Sequence, residues 1–86
     1  MEFSEELIEK IWDKAARVNG HNPKVHRRDQ YGCWIERSAY SNQKNMFGWV
    51  IGYIKPLSQG GNNELSNLCP LQWKNAEKYF PNQITI

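Results

Sequence analysis

The chain reads as one small α+β domain: an N-terminal amphipathic helix, then a β-hairpin and a C-terminal helix. Three stretches predict this. Leu7, Ile8, Ile11, Trp12, Ala15 and Val18 recur at helical spacing, with Glu9, Lys10, Asp13, Lys14 and Arg17 on the opposite face. Residues 47–54, FGWVIGYI, are almost continuously apolar and bounded by a polar loop and a Lys-Pro step, as a buried strand is. Residues 71–80 lie between Pro70, tolerated near a helix start, and Pro81, which stops one. At 86 residues there is room for a single modest core, and three Phe, four Tyr and four Trp bury large areas apiece to fill it.

Taken in order, Ser4 is the expected N-cap of the first helix, with Glu5 and Glu6 where the helix dipole favours acids. Phe3 and Ile8 are placed to form a hydrophobic staple across that cap. Gly20 is expected to end the helix, and Asn22-Pro23 to prevent its resumption. Residues 24–30, KVHRRDQ, read as a polar stretch leading to a turn at Tyr31-Gly32. Residues 33–40 read as a short strand, and 41–46 as a polar loop before the apolar strand. Residues 56–63 form a loop in which Gly60 and Gly61 supply the positive φ of a tight reversal. Residues 65–71 are a short strand or link into the last helix, and the final five residues are expected to be loose.

Charge and cysteine usage narrow the function classes. Residues 1–23 hold five acids against three bases, and residues 24–86 eight bases against four acids. The body of the domain is therefore mildly basic behind an acidic leading helix. That is compatible with a phosphate-bearing partner, yet far from the dense cationic stripe of a dedicated DNA binder. Cys33 and Cys69 stand 36 positions apart with no C-x-x-C pair, so a zinc knuckle is not supported and two small buried thiols are expected. Met1–Glu6 has no basic n-region and no apolar run approaches the roughly 20 residues of a membrane span. A cytoplasmic, reduced protein with no membrane partner is the expectation.

From Gly48 to Lys78 the order is a Gly-Trp strand, a Lys-Pro and Gly-Gly loop, an Asn67-Leu68 step, and a helix carrying Trp73, Asn75 and Lys78. With Arg28, Asp29 and Gly32 upstream, this frame resembles the HNH endonuclease superfamily and its ββα-metal motif, over a core of residues 47–80 in a single domain of residues 1–86. In that family the strand usually ends Gly-Trp-x-Ile-Asp-His-Ile, the Asp ligating a divalent metal and the His acting as general base. Here the two positions hold Gly52 and Tyr53. The resemblance implies that Asn67 ties the hairpin loop by hydrogen bonds to backbone, that Asn75 matches the second metal ligand, and that Lys78 faces phosphate. Gly52 offers no side-chain oxygen, and Mg²⁺ is held through carboxylates. A Tyr with an ordinary pKa near 10 is a poor base at neutral pH.

The expected function is therefore that of a catalytically inactive pseudo-nuclease, not an enzyme and without metal or other cofactor, which binds nucleic acid or a small signalling nucleotide. The expected ligand contacts are Tyr53, Lys55, Asn75, Lys78, Arg27 and Arg28, with Asn67, Gly60 and Gly61 structural. Tyr53 is expected to open onto the substrate groove and stack on a base. Arg27 and Arg28 beside His26 read either as phosphate contacts or as a solvated charge run. His21 and His26 lie outside the metal motif. Two other readings remain: a protein-interaction inhibitor or decoy, such as a phage or mobile-element anti-defence protein, and a residual metal-dependent nuclease.

Overall fold

The computed structural model describes residues 3–81 and 84–85. Helix α1 (Glu5–Trp12) starts as its sequence requires, with Ser4 Oγ accepting from the Leu7 N–H at 3.1 Å and two acids in the first turn. It ends at Trp12, well short of Gly20. The cause is the stretch read as a polar loop. Arg27 reaches back and donates to the carbonyls of Asp13 and Ala15, while Ala16 and Arg28 exchange both backbone bonds at 2.8 and 3.0 Å. Those carbonyls would have served the next helical turn, so the helix stops.

The stretch is in fact β1 (His26–Arg28), antiparallel to β2 (Trp34–Glu36) with Arg27 opposite Ile35. Beyond a 3₁₀ turn at Arg37–Ala39, β3 (Trp49–Tyr53) is the middle strand of a second antiparallel sheet. It lies between β4 (Leu68–Gln72) and β5 (Ile84–Thr85). The expected loose tail is corrected here: Ile84 and Thr85 pair with Gly52 and Ile51, and residues 82, 83 and 86 lie outside the described set.

Every residue of β3 and β4 is buried because helices cover both faces. Trp49, Ile51, Tyr53 and Leu68 pack on Ile8, Ile11 and Trp12 of α1. On the other face Val50, Cys69 and Leu71 pack on Ala76 of α2 (Trp73–Tyr79). A strand covered on both faces reads as a continuous apolar run, which explains the sequence of β3. Pro70 does not open the last helix; it lies within β4, opposite Ile51. β4 is an edge strand, where a missing N–H is tolerated. Gln72 then caps α2 directly, its Oε1 accepting from the N–H groups of Lys74 and Asn75 at 2.9 and 3.3 Å. Among the described residues no helix is long and apolar enough to cross a membrane.

Candidate functional site

Gly52 and Tyr53 close β3, and neither reaches a groove. A Cβ on Gly52 would stand 2.7 Å from Leu71 Cδ1, inside the packing beneath α2. Tyr53 points the other way, into the core against α1, and its hydroxyl lies 2.5 Å from Asn63 Oδ1. The expectation that Tyr53 opens to a ligand is overturned: the strand alternation that places residue 52 beneath α2 turns residue 53 toward α1. Burial raises the Tyr53 phenol above its ordinary pKa, which keeps the proton on.

The loop beyond β3 is closed by Asn67. Its Oδ1 accepts from the Lys55 N–H at 2.7 Å, and its Nδ2 donates to the carbonyls of Lys55 and Asn62 at 3.0 and 2.8 Å. The two glycines of this loop differ in role. Gly60 adopts φ 91°, whereas Gly61 is required by proximity, since a Cβ there would stand 1.9 Å from the Lys55 carbonyl oxygen. The Lys55 amino group lies over Gly60. It therefore belongs to this loop, while Asn75 and Lys78 belong to α2.

Asp29 organises the junction of the two sheets. It is buried, and its Oδ1 accepts from the Tyr31 and Cys33 N–H groups at 3.0 Å each. Its Oδ2 accepts from the Gln72 N–H at 2.9 Å and Asn75 Nδ2 at 2.8 Å. One carboxylate thus holds the β1–β2 turn against the start of α2. Arg27 is corrected from ligand contact to structural brace: its side chain is 5% exposed and donates to backbone carbonyls of Pro23, Asp13 and Ala15. A guanidinium so engaged has no free edge for phosphate.

Apart from Lys55, the exposed cations expected to contact a ligand lie where α2 meets the β1–β2 turn. Arg28 stands 4.6 Å from the ring centre of Trp34. Trp34, Lys74 and Asn75 line one open recess of about 440 Å³ with Met46 and Phe47. At its end Tyr31 stacks on Tyr79, centroids 4.2 Å apart and planes at 16°, and the Lys78 amine lies 5.2 Å from Tyr79. Of the expected contacts, Arg28, Asn75 and Lys78 therefore share a face. Sequence reasoning missed Lys74, Trp34, Tyr31 and Tyr79. The four-residue spacing of Lys74 and Lys78 on one helical face was the available signal for the first. The Tyr31–Tyr79 pair joins residues far apart in the chain and had none.

The residues standing where the resemblance implies a divalent ion do not fit one. Gly52 supplies no oxygen, the Tyr53 hydroxyl is committed to Asn63, and both Asp29 oxygens accept two N–H bonds each. Asn75 is left with one neutral oxygen. Hard cations need several oxygen ligands, carboxylates foremost. Among the described residues no three His, Cys, Asp or Glu side chains converge. Both cysteines are free thiols, and burial raises that of Cys69. Comparison with protein-family models, curated proteins and solved structures finds no match to this chain.

Proposed function

We propose that this chain is a degenerate, catalytically silent relative of the HNH superfamily that binds a phosphate-bearing ligand, nucleic acid foremost. The carrying observation is the alternation of cations and rings on the α2 face. Arg28, Lys74 and Lys78 stand 4.6, 5.4 and 5.2 Å from Trp34, Trp73 and Tyr79. Cations held against rings present charge to phosphates beside flat surfaces for bases. Lys74 and Lys78 point away from buried Ala76, hence toward solvent, with Glu77 on their flank. Most of the acids sit elsewhere: Glu5 and Glu9 of α1 take Arg37 at 3.3 and 2.6 Å. The ligand face is displaced from the positions of the family's metal chemistry, in keeping with the loss of the Asp-His pair.

The test is equilibrium binding of labelled duplex DNA, single-stranded DNA and RNA in EDTA at two salt concentrations. Affinity should fall with salt at a slope of about −0.7 to −0.9 per phosphate neutralised. Lys74→Ala and Lys78→Ala should each lower the slope by roughly that amount. Absence of binding to any nucleic acid or nucleotide at low salt would refute the proposal and redirect attention to a protein target.

A further inference from the structure

A second recess, of about 290 Å³, is walled by four flat rings: His21, His26, Trp34 and Phe47. The His26 ring is nearly perpendicular to Trp34 (89°, 6.3 Å), to Phe47 (83°, 6.2 Å) and to His21 (86°, 6.4 Å). His21 leans on Trp34 at 4.6 Å. These rings belong to neither core cluster. Phe47 is 40% exposed, and Met46 beside it 76%. An open set of rings so arranged has the shape that receives another flat ring.

Its polar groups indicate which ring. The His21 imidazole makes no hydrogen bond or ion pair among the described residues, so its nitrogens are free for a heterocycle edge. His26 Nε2 lies 3.3 Å from Glu36 Oε1, whose second oxygen accepts from Ser38 Oγ at 2.8 Å. Trp34 and Phe47 also line the recess that holds Lys74 and Asn75, so the two spaces adjoin. Arg28 stands over Trp34 at their shared wall. The occupant thus has a flat heteroaromatic part with hydrogen-bonding edges and an anionic part within reach of Arg28 and Lys74.

We infer that this recess receives one unstacked base of a single-stranded nucleic acid, whose phosphates run along the α2 face. The inference rests on the nucleic-acid reading above and narrows it: bases paired in a duplex are not available to enter, so single strands are preferred.

The experiment is fluorescence anisotropy of an end-labelled single-stranded decamer, its abasic counterpart, the corresponding duplex and a competing mononucleotide, all in EDTA at low salt. Wild type is compared with Phe47→Ala and His21→Ala, and a urea midpoint establishes that each variant is folded. The single strand should bind roughly tenfold or more tighter than the duplex or the abasic strand. Phe47→Ala should lose about tenfold affinity with the salt slope unchanged, because the phosphate contacts are untouched. Wild-type tryptophan emission should be quenched by the strand and not by the abasic backbone, a readout independent of the variants. Binding that persists unchanged in Phe47→Ala and on the abasic strand would overturn the recess while leaving the nucleic-acid reading intact. A mononucleotide as tight as the decamer would overturn the single-strand form of the inference. No binding of any nucleic acid would remove both.

Discussion

Asp29 and Arg27 stand two residues apart and are both buried, yet they are satisfied separately: Asp29 accepts from four N–H groups, and Arg27 donates to three backbone carbonyls and meets the Asp13 carboxylate at 3.4 Å. Buried charges are tolerated when hydrogen bonds replace their water, and removing that compensation is expensive. Asp29→Asn keeps the shape but, whichever way the amide lies, turns an NH₂ toward at least one backbone N–H donor. It should lose about 2–3 kcal/mol of unfolding free energy by urea titration. A loss below about 0.5 kcal/mol would mean that the turn is not held by this carboxylate. Tyr53 gives a prediction in pH. Burial raises its phenol from the ordinary 10.0, so the unfolded chain ionises first as pH rises. The stability associated with that shift is complete below about pH 10 and is lost as pH climbs through the raised native value. Urea melts between about pH 9 and 11 should show Tyr53→Phe losing less stability across that range than wild type. Parallel losses would assign the alkaline weakening to other groups, among them Tyr40, whose phenol burial and Glu5 also raise.

At the scale of elements, the loop of residues 54–67 has little core of its own; Ile54 and Leu57 are exposed, and Asn67 holds its two ends. Asn67→Ala leaves three backbone groups to find water. It should cost about 1–3 kcal/mol and make the loop markedly faster to cut in limited proteolysis. Unchanged cleavage would show the loop to be ordered by something else. The β3–β4 hairpin behaves oppositely, being covered on both faces. Gly52→Asp would drive a carboxylate into the packing of Leu71 and Cys69. A loss of about 3–5 kcal/mol is expected in thermal or urea unfolding. A Gly52→Asp protein as stable as wild type would mean that this face is looser than its packing indicates.

Over the whole molecule, charge is sorted. Acids concentrate on α1, while Arg28, Lys74 and Lys78 meet rings where α2 faces the β1–β2 turn. The salt dependence of nucleic-acid binding belongs to this scale, because it counts the phosphates a whole surface neutralises. Changing Lys74 and Lys78 together should reduce the slope by about 1.4–1.8. An equal reduction from changing Lys55, which lies over Gly60 in the loop of residues 54–67, would mean that the ligand runs past that loop.

Periodicity and punctuation were enough to find the start of α1, the central strand and the last helix, because cap chemistry, apolar runs and prolines act over a few residues. The burial of Cys69 and the α+β class were legible in the same way, whereas Cys33 is only half-buried. The end of α1 was not, since an arginine distant in sequence withdraws its carbonyls. Nor was the pairing of Ile84 and Thr85 with β3, or the place of Pro70 inside an edge strand. The site divides along the same line. Sequence by itself determined that residue 52 carries no side chain and residue 53 a phenol, because the identity of a group needs no coordinates to be known. Tertiary structure alone decided which remaining groups meet water. It turned Tyr53 and Arg27 inward, spent Asp29 on backbone donors, and left Arg28, Lys74 and Lys78 outside. Burial is a property of the neighbours a residue acquires on folding, and those neighbours come from other segments of the chain.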